Sequence, residues 1–256
     1  MISFFATPWG IFSICAGVLI LFFVLSVVFY RQCFKRFYDI VLSGAALLVL
    51  SGVLALLAVL VAVNLGRPVL FCQLRPGKNG KIFRLHKFRS MTSETDEHGN
   101  LLPDEKRMTS FGRRLRNSSL DELPELWDIF RGKMSLVGPR PQLVRDLVFM
   151  DEETQRRHDV RPGLTGLAQV SGRNNLTWEE RFGYDLEYVR HITLFGDLKI
   201  LFKTVLKVFR RSDVSTEGME TSEDYGDYLL RAGRISREEY DAEQHRAKEL
   251  IECHQK

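Results

Sequence analysis

Two acidic residues stand side by side at Asp121 and Glu122, inside the run Ser119 to Glu122 (SLDE). Ser-x-x-Glu is a capping-box pattern, so the pair is predicted to open a helix that continues to about Arg131 and ends at Gly132. At such a start the helix dipole and the free N–H groups favour anions. The chemistry open to the pair is phosphoryl transfer, in which one carboxylate attacks phosphorus while the other holds a divalent metal. Acidic residues in a capping box are commonplace, so the pair alone decides nothing. Phosphoryl transfer also needs fixed cations for the phosphate oxygens. Arg140 lies between Pro139 and Pro141, which restrict its backbone before any ligand arrives, and a guanidinium fork matches phosphate bidentately. Gly172-Arg173-Asn174 can wrap a phosphate with backbone N–H groups and a guanidinium, and is equally an ordinary turn. Lys87 and Arg89 share one face if a strand runs through them, and a surface strand explains them equally well.

The elements that must position these groups follow from patterning. Residues 81–91 (KIFRLHKFRSM) alternate in part after the Gly77/Gly80 turn and read as a short strand entering a loop. Residues 92–110 are polar, with a turn at His98-Gly99-Asn100. Residues 142–158 carry a helical pattern, and residues 161–174, with three glycines and a proline, read as a structured loop. Thr177 to Glu180 (TWEE) is a second capping box, opening a helix through about Arg190. Residues 197–211 set Lys199, Lys203 and Lys207 at four-residue spacing among large apolar residues. This is a basic amphipathic helix suited to a lipid headgroup zone, or to a core with a solvated lysine face. From about Met219 the chain turns acidic and polar, and a third capping box at Ser236 to Glu239 starts a terminal helix over 237–252. No chemistry is apparent in that tail, which is predicted to be dispensable for turnover and to serve an oligomer or a pathway enzyme.

Composition sets the surroundings. The chain has 256 residues, 45% hydrophobic, with a formal net charge of +4, too small to argue for nucleic acid. The hydrophobic share is concentrated in residues 11–30 and 40–63, which contain no charge. About 20 residues at roughly 1.5 Å each match a hydrocarbon core of about 30 Å, so the first segment can span. A signal peptide is disfavoured by the missing basic n-region and cleavage pattern. Arg31, Lys35 and Arg36 precede the second segment, and Arg67, Arg75, Lys78, Lys81 and Arg84 follow it. The positive-inside tendency then puts both its ends on the cytoplasmic side, so it enters and returns, with Ser51-Gly52 as the place to bend. A two-span hairpin with an external polar body is the alternative. Four cysteines (Cys15, Cys33, Cys72, Cys253) form no CxxC pair, so neither a zinc site nor a disulfide framework is indicated, which fits a reduced compartment.

Taken in order, KFRSM (87–91), SLDELPELW (119–127), MSLVGPRP (134–141), RPGLTGLAQ (161–169) and GRN (172–174) closely resemble the bacterial sugar transferase family, the monotopic polyprenyl-phosphate phosphoglycosyl transferases. The likeness runs from about Lys35 to Gly218. It implies transfer of a sugar-1-phosphate from a UDP-sugar to a polyprenyl (undecaprenyl) phosphate at the cytoplasmic face of the bacterial inner membrane, with release of UMP, as the first membrane step of glycan assembly. By the same resemblance Asp121 is the nucleophile and forms a covalent aspartyl-phosphosugar, while Glu122 is the Mg²⁺-associated carboxylate. Lys87 and Arg140 fall on positions needed for activity, Arg173 and Asn174 suggest contact with the donor phosphate, and Asp185 and Asp197 fall on further substrate-binding positions. The helix start, Lys87 and Arg140 are expected to keep Asp121 ionised.

The implied fold is α+β, predominantly helical with a small sheet. It divides into an N-terminal transmembrane anchor (1–34), a re-entrant membrane helix (35–66), a cytosolic catalytic domain (67–218) and a C-terminal helical extension (219–256). There are three departures: Ser51-Gly52 replaces the family's Ser-Pro break, and small members lack both segment 11–30 and the tail. Two competing readings are a catalytically silent membrane scaffold, against which intact Asp121, Glu122, Lys87 and Arg140 argue, and an enzyme using a CDP donor. Release of UMP against CMP separates them. The sequence does not name the sugar.

Overall fold

The computed structural model describes residues 8–172, 176–210 and 223–255. Helix α1 (Pro8–Val28) carries no charge and is apolar on every side, the composition of a helix that sits in apolar surroundings. Its stretch Ile11–Val28 is long and apolar enough to cross a membrane, and only 6% of it is buried against the rest of the chain. A π-helical turn (Tyr30–Phe34) leads into α2 (Lys35–Val49), which is followed by α3 (Ser51–Leu65) at a bend of 64°.

The bend falls where the Ser-Gly pair placed it and needs no proline. The Leu50 N–H still reaches the Ala46 carbonyl, Leu54 N–H reaches Leu50 at 2.8 Å, and the Ser51 hydroxyl donates to the Leu48 carbonyl at 2.8 Å. Serine competing for a helix carbonyl is a known cause of such kinks. Both arms return to the same polar body. On α2, Arg36 donates to the Ile129 and Phe130 carbonyls (2.7 and 2.8 Å), and Asp39 accepts from Leu136 N–H (2.9 Å) and the Ser135 hydroxyl (3.1 Å). On α3, Leu57, Val61 and Leu65 bury against Phe88 and Leu115, each worth roughly 1.5–3 kcal/mol. The tip between the arms is bare and apolar, with Leu48 and Val49 79% and 81% exposed.

The polar body begins with an antiparallel hairpin, β1 (Leu70–Pro76) and β2 (Ile82–Phe88), in the register Leu74 opposite Arg84. Only β2 was legible in the sequence, since β1 shows no alternation in burial until it meets the body. Its turn uses positive φ at Asn79 (56°) and Gly80 (70°). Next come α4 (Asp104–Arg107), α5 (Ser110–Asn117), a 3₁₀ turn (Leu120–Glu122), α6 (Glu125–Phe130) and β3 (Ser135–Val137). After them lie α7 (Val144–Leu147), α8 (Glu152–Gln155), a 3₁₀ turn (Arg156–Asp159), β4 (Gly163–Thr165) parallel to β3, and α9 (Leu167–Ser171). The last four helices are α10 (Trp178–Arg190), α11 (Leu194–Arg210), α12 (Tyr225–Arg231) and α13 (Arg237–Gln255).

The chain is thus mostly helical with two two-stranded pairs among the described residues. Three sequence expectations differ. The helix over 142–158 is broken because Asp151 caps Thr154 N–H at 2.8 Å and Met150 turns inward to Trp178 and Phe182. The loop over 161–174 contains β4 and α9. The helix at Ser119 does not form, for reasons that belong to the site. The box at Thr177 is present, with Thr177 accepting from Glu180 N–H at 3.2 Å. Along α11, Phe195, Leu198, Phe202 and Val205 form an exposed apolar stripe opposite buried Asp197 and Ile200. Arg211, the last residue of the predicted amphipathic helix, lies outside the described residues.

Candidate active site

Lys87, near the end of β2, reaches across to the chain after α5 and contacts two carboxylates, Glu122 Oε1 at 2.7 Å and Glu125 Oε1 at 3.1 Å. Arg140 reaches the same Glu122 oxygen at 2.8 Å. One strand, one turn and one loop, separated by about 20–35 residues of chain, therefore converge on a single carboxylate. Burial raises the pKa of Glu122, but Arg140 and Lys87 outweigh it and hold the group well below the ordinary carboxylate range. Glu125, which sequence reasoning missed, is 3% exposed. Burial pushes it to about 7 against the pull of Lys87, with Glu122 adding to the rise. Its signal was its place three residues after Glu122, on the same side of a helical turn.

Asp121 sits beside this cluster, 8% exposed, and among the described residues no hydrogen bond reaches its carboxylate. Burial, then Glu122, push it to about 6 against the pull of Lys87, Arg116 and Arg140. The cations therefore moderate its proton affinity without overcoming burial, and the group still carries its charge for the most part at pH 7. The expected helix start is also absent. Ser119 adopts a left-handed conformation (φ 55°) with no side-chain cap, and Leu120–Glu122 is a 3₁₀ turn. Pro124 follows at once, and α6 begins only at Glu125. Asp121 thus stands on a tight turn between two helices, a position that leaves its carboxylate free of backbone donors.

The Arg140 loop is held with unusual completeness. Pro139 and Pro141 have no N–H to satisfy. The carbonyl of Pro139 accepts from Gly163 N–H (2.9 Å), that of Arg140 from Arg157 Nη2 (2.7 Å), and that of Pro141 from Arg75 Nη1 (3.1 Å). Gly138 and Gly163 permit the close approach of β3 and β4, since a Cβ on Gly163 would lie 2.1 Å from Gly138 N. Arg157 is itself paired with Asp185 at 2.6 Å, both 1% exposed. Asp185, expected at a substrate-binding position, is placed behind Arg140, paired with the Arg157 that holds the Arg140 carbonyl. Arg157 gave no local signal, because its partners are 17 and 28 residues away.

Asp197 is placed apart from the cluster as well. It is 3% exposed and accepts from the Tyr30 hydroxyl (2.7 Å), Lys35 (2.5 Å) and the Tyr188 hydroxyl (2.9 Å), tying the start of α2 to α11. Arg89 turns away from Lys87 and donates to the Leu65 and Arg67 carbonyls at the end of α3, so the two do not share a face. Arg173 and Asn174 lie outside the described residues. For a magnesium ion the donor set fits. Glu122 has Oε2 left over, Asp121 adds hard oxygens, and Mg²⁺ commonly takes one or two carboxylates with the rest from water and substrate phosphate. No group of three or more side chains able to ligate a metal occurs among the described residues.

Residues 30–211 match the model of a family described as bacterial sugar transferase. The chain is 45% identical over 189 residues to an uncharacterized sugar transferase, EpsL, of Bacillus subtilis (strain 168), covering 74% of this chain and 94% of that protein. It is 40% identical to the UDP-glucose:undecaprenyl-phosphate glucose-1-phosphate transferase of Klebsiella pneumoniae, covering 70% of this chain and 41% of the relative. With the undecaprenyl-phosphate galactose phosphotransferase of Salmonella typhimurium the identity is 37%, over 69% of this chain and 40% of the relative. The chain therefore spans about two-fifths of the length of these last two relatives.

Proposed function

The chain belongs to the bacterial sugar transferase family, and from that premise we propose that it transfers a sugar-1-phosphate from a UDP-sugar to a polyprenyl phosphate at the cytoplasmic face of the bacterial inner membrane, releasing UMP. The observation that carries the reading is Asp121, a buried carboxylate with no hydrogen-bond donor among the described residues, set beside a carboxylate held by Lys87 and Arg140. The relatives' names supply the substrate class, a hexose phosphate and undecaprenyl phosphate.

In the proposed sequence the Asp121 carboxylate oxygen attacks the sugar-bearing phosphorus of the donor. The bond from that phosphorus to the bridging oxygen breaks, and UMP leaves with the electron pair. A phosphate oxygen of the polyprenyl phosphate then attacks the same phosphorus and returns Asp121 as a carboxylate. Two displacements at one site mean that a soluble donor and a membrane-bound acceptor need not be held together. Lys87 and Arg140 neutralise donor phosphate oxygens, and the rigid loop keeps the Arg140 fork in line without reorganisation. Magnesium held through Glu122 would offset further charge on the donor phosphates. The bent pair α2–α3 enters the cytoplasmic leaflet and returns, and the exposed apolar stripe of α11 suits it to the headgroup zone.

The deciding experiment incubates the protein with UDP-glucose or UDP-galactose alone and weighs the intact chain. An adduct of one hexose phosphate that disappears on adding undecaprenyl phosphate, and that Asp121→Asn never forms, is the expected result. Sustained turnover by Asp121→Asn, without deamidation, would remove Asp121 from the mechanism, and release of CMP from a CDP donor in place of UMP would change the enzyme class. Topology has its own test in the native thiols. Cys33 and Cys72, both exposed, flank the bent pair and should react from the same side of the membrane as Cys253. Labelling of Cys33 and Cys72 from opposite sides would replace the re-entrant arrangement with a hairpin of two spans.

A further inference from the structure

We propose that the C-terminal extension is a clamp that positions Arg140, with Asp146 as the joint between them. The inference rests on the reading that Arg140 meets donor phosphate. Sequence alone made the tail dispensable; residues 219–222 lie outside the described residues, but residues 223–255 are docked against the two supports of the Arg140 loop.

The first support is the exit of the loop. Leu143 N–H donates to Asp146 Oδ2 at 3.0 Å, and the other oxygen, Oδ1, accepts from Tyr225 N–H at the start of α12, also at 3.0 Å. Asp146 is 2% exposed, so one buried carboxylate joins the end of the catalytic loop to the tail. Removing either N–H would leave a buried charge short of a donor, which such a site resists. Asp224 reinforces the joint by pairing with Arg145. Just beyond, the Phe149 ring is enclosed by the tail from two directions. Tyr240 of α13 stacks on it with centroids 5.8 Å apart, and α12 approaches so closely that a Cβ on Gly226 would lie 2.5 Å from the ring.

The second support is α10. The Tyr225 ring packs at 5.2 Å from Trp178 and 5.0 Å from Phe182, and the Arg157 guanidinium lies 5.5 Å from the Phe182 ring on its other contact. Arg157 is the group that holds the Arg140 carbonyl. The tail thus bears on Arg140 along two paths that both start at Tyr225, its N–H by way of Asp146 and Leu143 and its ring by way of Phe182 and Arg157. Asp146 and Phe182 are positioning residues, since neither touches the acid cluster.

The test is Gly226→Leu in the full chain. Leucine is a stronger helix former than glycine, so α12 itself persists, while its side chain cannot fit against Phe149. Amide exchange over 142–147 should quicken, and KM for UDP-glucose or UDP-galactose should rise on the order of tenfold, with kcat changed by less than about threefold. Adding Phe149→Ala, which reopens the space, should restore both. In an Arg140→Lys background Gly226→Leu should add little, because both changes remove one interaction; a purely destabilising substitution would add in full. A tail that is released, as judged by fast exchange over 225–231, while 142–147 stay protected or the donor KM stays unchanged, would overturn the clamp. If the unaltered protein releases no UMP from any UDP-hexose, the functional reading fails, and unchanged exchange over 142–147 in Gly226→Leu would still overturn the clamp on its own.

Discussion

Asp121 and Asp197 are both buried aspartates close to lysine or arginine, yet they stand in opposite situations. Asp197 receives three donors, from Tyr30, Lys35 and Tyr188, and its Lys35 partner donates onward to the Val137 carbonyl at 2.9 Å. Asp121 receives none among the described residues and shares its surroundings with Glu122 and Glu125, three carboxylates facing Lys87 and Arg140. A satisfied carboxylate is inert and fixes geometry. One with no protein donor beside another acid is left available to react. On the proposed mechanism the contrast would separate a position that does chemistry from one that holds the frame, a division the motif pattern does not make.

The largest effect that tests the contrast is on turnover. Asp121→Asn should lower UMP release by at least about 10³-fold, as loss of a covalent nucleophile does, while Asp197→Asn should leave well-folded protein active within about tenfold. Comparable losses in the two, at equal folding, would erase the distinction. Next in size is Arg157→Ala, which strands Asp185 in the interior. Breaking such a buried pair costs about 3–5 kcal/mol, seen as a large drop in melting temperature, and Arg157→Lys should recover only part of it because one ammonium cannot serve both Asp185 and the Arg140 carbonyl. Asp197→Asn should cost about 2–3 kcal/mol, since Lys35 then lacks its counter-charge and only one of the two tyrosines, which donate to opposite carboxylate oxygens, keeps an acceptor. Thermal unfolding in one detergent measures these stability changes, and UMP release the turnover.

What the sequence made legible follows from how local each cause is. The two apolar segments, the Thr177 box, the turn at His98-Gly99-Asn100 and the bend at Ser51 depend on neighbours within one or two helical turns. In that turn Asp96 Oδ1 accepts from both His98 and Asn100 N–H. Lys87, Glu122 and Arg140 were found because motif order places them, and they do converge. Arg157 and Asp146 were missed because their roles arise from contacts across 17 and 79 residues that no spacing announces. The Ser119 box failed for the opposite reason. The local pattern was present, but Pro124 and the left-handed Ser119 divide the segment into a turn and a later helix. The tail was judged by its lack of phosphate-binding residues, a criterion blind to positioning.

The smallest predicted effect is also the most direct probe of Asp121 in the resting protein. Its folded-state pKa, about 6, lies above the ordinary aspartate value of 3.8. The folded chain therefore binds more protons than the unfolded chain between those two values, and stability falls as pH rises through that window. Well below pH 3.8 the carboxyl is neutral in both states and contributes no penalty; well above pH 6 the full penalty applies. A shift of this size corresponds to about 2–3 kcal/mol, and relaxation around the charge should reduce what is observed to about 1–2 kcal/mol. Asp121→Asn keeps the shape and removes the charge, so it should melt higher than the unaltered protein at pH 7.5, and the gain should shrink to a small remainder as pH is lowered to 4. Asp197→Asn should melt lower at pH 7.5. An inactive Asp121→Asn that is no more stable than its parent at pH 7.5, or whose gain is the same at pH 4, would mean that Asp121 carries no buried charge penalty and that its reactivity arises only once the donor is bound.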